Sequence, residues 1–146
     1  MARFRFRLEA SLRLAEQVLE TAQRKLALEV QQWQRCVLAC ELQEQRLEEA
    51  FEGYREACWE KPGELAGWQI YVREQRNRLQ QCQIERTEQE KVMEEARQSL
   101  LEAHRETEKF KRLKEKQEKA FWMAELQKEQ KLLDETGQVL YWRQRN

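Results

Sequence analysis

Apolar side chains recur with alternating spacings of three and four residues along the first half of the chain. Of the fourteen positions in this stripe, twelve are apolar or Cys, and Glu29 and Gln43 are the exceptions. A stripe sustained over about six heptads predicts a coiled coil, because so narrow an apolar face needs a partner helix. The stripe consists of Leu12, Ala15, Leu19, Ala22, Leu26, Glu29, Trp33, Cys36, Cys40, Gln43, Leu47, Ala50, Tyr54 and Ala57.

The second half of the chain carries the same spacing less regularly. Polar residues interrupt it in two places, at Arg86 with Gln89 and at Lys114 with Gln117. We expect a weaker seam, with local bending or partner contact, at these places. The second stripe consists of Leu65, Trp68, Val72, Gln75, Leu79, Cys82, Arg86, Gln89, Met93, Ala96, Leu100, Ala103, Thr107, Phe110, Lys114, Gln117, Phe121 and Ala124.

One segment between the stripes carries the signals of a chain reversal. It holds the only proline, Pro62, and two of the four glycines, Gly63 and Gly67. Proline inside a helix removes a hydrogen bond and clashes with the preceding turn. The pattern therefore predicts an all-α fold, a long two-helix antiparallel coiled-coil hairpin with a short turn near residues 60–66. Its single domain, 1–146, would comprise helix 1 over about 3–58, a turn over about 59–66 and helix 2 over about 67–140.

The predicted register leaves the second helix longer than the first. Residues whose numbers sum to roughly 122 face each other across such a turn, which places Cys40 opposite Cys82 and Trp33 opposite Gln89. Residues from about 121 to 140 then form an overhanging C-terminal helix, which Gly137 is expected to end early. A helix that is apolar on several faces and has no partner in its own chain is expected to bind another protein. The large apolar residues of the overhang are Phe121, Trp122, Met123, Leu126, Leu132, Leu133, Val139, Leu140, Tyr141 and Trp142.

Charge is abundant and unevenly placed. Charged residues make up 37% of the 146 residues, and 27 basic side chains balance 27 acidic ones. Residues 44–60 hold six Glu against two Arg, and residues 109–119 hold six basic residues against two Glu. Two interpretations remain open at this stage. The charges form an uneven solvated face, or the basic open end docks on an acidic partner whose approach the field steers.

Several classes of function are not expected. The chain shows neither an apolar run of about 20 residues for a membrane span nor a signal-peptide pattern, so we expect a cytosolic protein with reduced cysteines. The four cysteines are expected in the core rather than on a metal, because His104 is the only histidine. No catalytic residues or cofactor are expected, since a phosphate loop and a plausible triad are lacking. Binding of nucleic acid is not expected at a pI near 6.7.

Three motifs, in order along the chain, resemble one known family. Residues 4–9 read Phe-Arg-Phe-Arg-Leu-Glu, Trp68 and Tyr71 precede Leu79, and residues 129–135 read Glu-Gln-Lys-Leu-Leu-Asp-Glu. They resemble the opening Phe-x-Phe-Arg-Leu-Glu, the Trp-x-x-Tyr…Leu signature and the Glu-Gln-Lys-x-Leu/Met-Asp-Glu stretch of the flagellar type III export proteins of the FliJ family. The resemblance spans essentially the whole chain.

The resemblance implies a stalk without catalytic activity. Its open end would insert into the hexameric flagellar export ATPase, and the hairpin would also contact the cytoplasmic domain of the export gate and export chaperones. Membrane association would be peripheral, through these partners only. The implied ring-docking residues are Phe4, Arg5, Phe6, Arg7, Leu8, Phe121, Trp122, Glu129, Gln130, Lys131, Leu133 and Asp134. The implied gate-contact residues are Trp68, Tyr71, Val72, Gln75 and Leu79, although Glu74 and Arg78 depart from the more apolar pattern expected there.

Two other interpretations of the pattern stay open. The chain could be a generic cytosolic coiled-coil scaffold whose motif matches are accidental. Alternatively, it could be a homodimeric adaptor whose seams join two chains.

Overall fold

The computed structural model describes residues 2–146 and contains two long α-helices. Helix α1 is Glu9–Glu60 and helix α2 is Leu65–Arg145, with a 3-10 turn, Pro62–Glu64, between them. The described residues form no strand, and the two helices pack against each other, which confirms the predicted all-α helical hairpin. The contacts divide the chain into two compact units, one of Met1–Leu19 with Glu102–Asn146 and one of Glu20–Leu101.

The core of each unit follows the predicted stripes. All fourteen stripe positions of α1 are buried or half-buried. Small side chains dominate the most buried positions, and they allow the two backbones to approach closely. The most buried residues are Cys40, Gln43, Ala50, Ala57, Val72, Gln75 and Ala96 in the unit Glu20–Leu101, and Phe6, Leu12, Ala15, Ala103 and Thr107 in the other unit.

Helix 1 begins later than the sequence pattern predicted. It was expected from about residue 3 but starts at Glu9, after a turn in which the Glu9 amide donates to the Phe6 carbonyl at 3.2 Å. Phe4 and Phe6 alternate with exposed arginines in the preceding segment, and Phe6 is buried. An extended backbone turns alternate residues to one side, whereas a helix would separate the two rings by about 200°. Burial of both phenylalanines therefore favours the extended segment.

The turn is shorter than predicted. Only Lys61 and Pro62–Glu64 separate the helices, and the Glu64 amide donates to the Lys61 carbonyl at 3.1 Å. Lys61 is outside the helical region (φ −139°, ψ 73°), which is disfavoured for a residue before proline. Gly63 and Gly67 both have negative φ, so neither is required by a left-handed backbone. Proline alone supplies the break.

Helix 2 ends later than predicted. It was expected to stop near residue 140, with an early end at Gly137, but it continues to Arg145. Gly137 has negative φ, and glycine within a helix costs only about 1 kcal/mol relative to alanine. Arg143 and Arg145 lie in the last turn, where positive charge is favourable for the helix dipole.

The second stripe departs from the prediction at three positions. Arg86, Gln117 and Ala124 are exposed, whereas Glu118 and Glu125 are half-buried. The buried line thus moves by one residue after Lys114. The reason is that the chain opposite this part of α2 is the extended N-terminal segment, which does not supply the regular holes of a helix.

The predicted register is correct to within one helical turn. In the unit Met1–Leu19 with Glu102–Asn146, the Thr107 hydroxyl donates to the Ala15 carbonyl at 3.2 Å, which agrees with the predicted sum of 122. In the other unit, the Gln89 amide donates to a Glu29 carboxylate oxygen at 2.5 Å. Glu29 lies one turn before Trp33, the residue predicted there. Gln89 and Lys114 were expected to weaken the seam, but both have partners across it, since the Lys114 ammonium lies 3.0 Å from the Glu9 carboxylate.

Candidate partner-binding surfaces

The N-terminal segment, residues 2–8, packs through two aromatic side chains. The Phe4 ring lies 5.6 Å from the Phe121 ring, and Phe121 meets Trp122 edge-on at 5.3 Å. Three of the predicted ring-docking residues, from opposite ends of the sequence, therefore form one aromatic cluster. Phe6, also predicted to dock, is buried, so the structure favours a packing role for this side chain.

A basic groove lies beside this cluster, within the same unit. Its volume is about 480 Å³, and it is lined by Arg3, Phe4, Arg5, Phe6, Glu9, Arg13 and Lys114. Four cationic side chains thus face one carboxylate, which is already paired with Lys114. Arg5, Arg7 and Leu8, all predicted to dock, are exposed at or next to this groove. Such an arrangement suits an acidic partner surface.

The C-terminal arm, residues 126–146, is exposed along its whole length. Within the described residues, no other part of the chain covers it. Leu133 is 68% exposed and Trp142 is 69% exposed, which is unusual for side chains of this size. The predicted docking residues Glu129, Gln130, Lys131, Leu133 and Asp134 all lie on this arm and are accessible.

The arm continues the buried line of α2 without a partner. Glu118 and Glu125 are half-buried, and the next positions at the same spacing of seven are Leu132 and Val139, both exposed. Val139 also lines a shallow groove of about 680 Å³ with Trp142 and Arg143. A heptad line that goes on after its partner ends is the pattern of a helix completed by another protein.

Most of the predicted gate-contact residues lie inside the seam. Val72 and Gln75 are buried and Leu79 is half-buried, so the gate contact predicted for these three stays a prediction. The Gln43 amide donates to the Gln75 side-chain oxygen at 2.6 Å and to its backbone carbonyl at 3.2 Å. Gln75 therefore fixes the two helices to each other. Of the predicted set, Tyr71 is exposed, and Trp68 and Leu79 are half-buried.

Trp68 has a packing partner that the sequence pattern did not indicate. A Cβ added to Gly53 would lie 2.5 Å from Cζ3 of the Trp68 indole, so the ring occupies the space of a missing side chain. Gly53 is therefore a close-packing position. Tyr71 meets Trp68 edge-on at 5.8 Å, and Trp59, 89% exposed, is a further aromatic residue that the family motifs do not include.

The cysteines differ in exposure. All four are free, and Cys40 is buried, Cys36 and Cys82 are half-buried and Cys58 is exposed, so the expected core position is wrong for Cys58. Burial raises the pKa of the Cys40 thiol, Cys82 acts in the same direction, and Arg86 opposes them. Among residues 2–146, no cluster of His, Cys, Asp or Glu could hold a metal ion.

Comparisons with known proteins place the whole chain in one group. The model of the family described as flagellar FliJ protein matches residues 3–146. Searches of curated proteins and of solved structures found no match. In the described part of the chain, neither helix has a stretch apolar enough to cross a membrane.

Proposed function

Because the chain belongs to the flagellar FliJ protein family, we propose that it is the non-catalytic stalk of the flagellar type III export ATPase complex. Its docking surface is the unit that contains both termini, which inserts into the hexameric ATPase ring. The unit Glu20–Leu101 contacts the cytoplasmic domain of the export gate, and export chaperones bind the same protein. The chain is cytoplasmic and joins the inner face of the membrane only through these partners.

One observation carries the proposal, namely the exposed C-terminal arm. Leu132 and Val139 continue the heptad line with no partner in the described residues, and Leu133 and Trp142 add apolar surface on other faces. A helix that exposes apolar side chains on several faces, without a partner in its own chain, is expected to bind another protein. A ring of subunits encloses a helix from all sides, which a single flat partner cannot do.

The basic groove gives the docking its orientation. Arg3, Arg5 and Arg13 have no ion-pair partner in the described residues and lie together on one side of the unit. An acidic collar on the ring would meet this side first, and the attraction raises the rate of association and suppresses inverted insertion. Phe4, Phe121 and Trp122 stand next to the groove as the apolar anchor.

Coupling needs no chemistry from the stalk. A ring that changes state on hydrolysis shifts the equilibrium of any protein that contacts its states differently. The unit holding both termini is asymmetric, with basic side chains on the groove and apolar ones on the arm. It therefore meets successive subunits of a symmetric ring with different surfaces.

The test is the activity and assembly of the cognate hexameric export ATPase with and without the protein. We expect the full chain to promote hexamer formation and to change the turnover number, and the Arg5→Glu/Arg7→Glu variant to bind the ring at least ten-fold more weakly. Both arginines are exposed, so circular dichroism should show unchanged helicity. The matched control is Arg24→Glu/Arg35→Glu, the same charge change at exposed positions of α1, which should bind like wild type.

Two outcomes contradict the proposal. If neither hexamer formation nor turnover responds to the protein, it is not the stalk of this ATPase. Equal loss of binding in both charge-reversal variants would show that overall charge, rather than the basic groove, governs docking. Sedimentation tests the homodimeric adaptor, since the proposed hairpin sediments as a monomer and the adaptor as a dimer.

A further inference from the structure

The surface next to the turn combines aromatic rings with carboxylates. We define the aromatic notch as the shallow groove of about 490 Å³ lined by Gly63, Glu64, Gly67, Trp68 and Tyr71. Atoms of a side chain at Gly63 or Gly67 would meet nothing within 4 Å, so the floor of the notch is open backbone. The walls are the Trp68 and Tyr71 rings, set almost at right angles with an interplanar angle of 82°.

Trp68 also borders a second groove. Glu56, Glu60 and Glu64 line this groove, with Lys61. The three carboxylates are exposed, and none forms an ion pair within residues 2–146. Trp68 and Glu64 line both grooves, so the rings lie next to unpaired carboxylates, just after a segment, residues 44–60, that holds six Glu against two Arg.

We propose that the aromatic notch receives an arginine side chain from a basic segment of a partner protein. A guanidinium lies flat on an indole or phenol ring, and its N–H groups can at the same time donate to carboxylates. The Trp68 and Tyr71 rings supply the first interaction and Glu60 with Glu64 the second. Because Trp68 packs against Gly53, the indole is held in place before a ligand arrives.

The same pair of helices already uses this interaction internally. The Arg76 guanidinium lies 5.1 Å from the centre of the Phe51 ring, across the seam. The aromatic notch offers a second arginine the same kind of ring, together with negative charge that the Phe51 site lacks. Acidic or apolar partners fit less well, since unpaired carboxylates would repel the first and be desolvated by the second.

This proposal rests on the export-gate part of the proposed function, because Trp68 and Tyr71 belong to the gate contact proposed there. It commits to the chemistry of the bound segment, which is basic. The test below contains neither the ATPase nor the gate. Its failure therefore leaves the proposed function to be judged by the ring and gate measurements alone.

The probe is a labelled synthetic peptide with two arginines separated by glycine, measured on the full-length chain by fluorescence anisotropy. The control peptide carries citrulline, which keeps the shape and removes the charge. We expect the arginine peptide to bind at least ten-fold more tightly, with shifts of the Trp68 indole N–H signal in the NMR spectrum of the labelled protein. Equal binding of both peptides overturns the proposal.

Two variants with the same net charge locate the site. In Glu56→Gln/Glu60→Gln/Glu64→Gln, carboxylates beside Trp68 are removed, and in Glu48→Gln/Glu49→Gln/Glu52→Gln, exposed carboxylates of the same helix that line neither groove are removed. We expect roughly ten-fold weaker binding in the first variant and less than about two-fold in the second. Equal losses of affinity in the two variants would mean that the overall negative charge of the region attracts the peptide, and would overturn the proposal.

A third variant tests the aromatic wall without disturbing the fold. Trp68→Ala would leave a cavity beside Gly53, so Tyr71, which is exposed, is the better position. Tyr71→Ala should weaken the arginine peptide about five-fold, while Tyr71→Phe, which keeps the ring, should bind like wild type. Unchanged binding in Tyr71→Ala would remove the notch from the site.

Discussion

Gln43 of α1 and Gln75 of α2 are joined by a side-chain hydrogen bond of 2.6 Å inside the seam. Glu29 and Gln89 form a second layer of the same kind. Glu29 lies fourteen residues, two heptads, before Gln43, and Gln89 lies fourteen residues after Gln75. In both layers a glutamine amide donates to the side chain and to the backbone carbonyl of the residue across the seam. Because a slip of either helix would break both layers, they specify the register of this unit.

We expect a large coupling energy between Gln43 and Gln75. Gln75→Leu removes the side-chain acceptor of the buried Gln43 amide and leaves it only the backbone carbonyl of residue 75, so we expect a loss of about 1–3 kcal/mol in the free energy of unfolding. Gln43→Leu/Gln75→Leu removes both partners and should recover most of this loss. Urea denaturation of the two single variants, the double variant and wild type measures the coupling directly. Simple additivity of the two single effects would contradict the pairing.

Gly53→Ala should destabilise the hairpin although alanine is the better helix former. The new Cβ would meet the Trp68 ring, and overpacking of this kind costs about 1–3 kcal/mol, more than the roughly 1 kcal/mol gained in helix propensity. Gly67→Ala is the matched control, since nothing lies within 4 Å of its Cβ, and it should stabilise by a few tenths to 1 kcal/mol. Thermal denaturation followed at 222 nm distinguishes the two. A gain in both variants would mean that Trp68 does not pack on Gly53.

Changes on the C-terminal arm should separate binding from stability. Leu132→Gln/Leu133→Gln alters two exposed side chains, so the unfolding free energy should stay within about 0.5 kcal/mol of wild type. Binding to the ATPase ring should nevertheless fall at least ten-fold. Leu28→Gln/Leu38→Gln, at 62% and 63% exposure, matches the change on α1 and should bind normally. Normal binding of the arm variant would exclude the arm from the docking surface.

Because of the Cys40 thiol, we expect the free energy of unfolding to fall at alkaline pH. Burial raises its pKa, so the folded chain holds this proton more tightly than the unfolded chain. The resulting stabilisation is complete below the pKa of an unfolded thiol, about 8.5, and is lost as the pH rises through the folded value. The urea midpoint of wild type should therefore fall more between about pH 8 and about pH 10 than that of Cys40→Ala. Cys58→Ala, which removes an exposed thiol, should keep the wild-type pH dependence.

The periodic part of the fold was predictable because one physical requirement governs it. Burial of a narrow stripe against a partner helix dictates the spacing from Leu12 to Ala57, and Pro62 marks the reversal. The helix ends were not predictable in the same way, since each depends on a few local interactions. Phe4 and Phe6 alternate with arginines, a period-two pattern that favours an extended chain, yet the resemblance of this stretch to a helical opening concealed it.

The surfaces were predictable only in part, for a related reason. Exposure of Leu133 follows from the unequal lengths of the helices, which the position of Pro62 reveals. The burial of Gln75 was missed because a polar side chain in a seam position gives no sign of its partner 32 residues away. The contact between Trp68 and Gly53 requires a register accurate to one residue, and the pattern fixes it only to one turn.

The way in which the N-terminal segment is attached determines how readily it opens. Residues 2–8 belong to no helix or strand, and the segment is held by the packing of Phe4 on Phe121 of α2 and by the burial of Phe6. Segments anchored by so few contacts open at a small fraction of the global unfolding free energy. Amide hydrogens of this segment should therefore exchange with deuterium long before those of either helix, and insertion into a ring should slow that exchange. Residues 2–8 would thus report occupancy of the docking unit from within the chain itself.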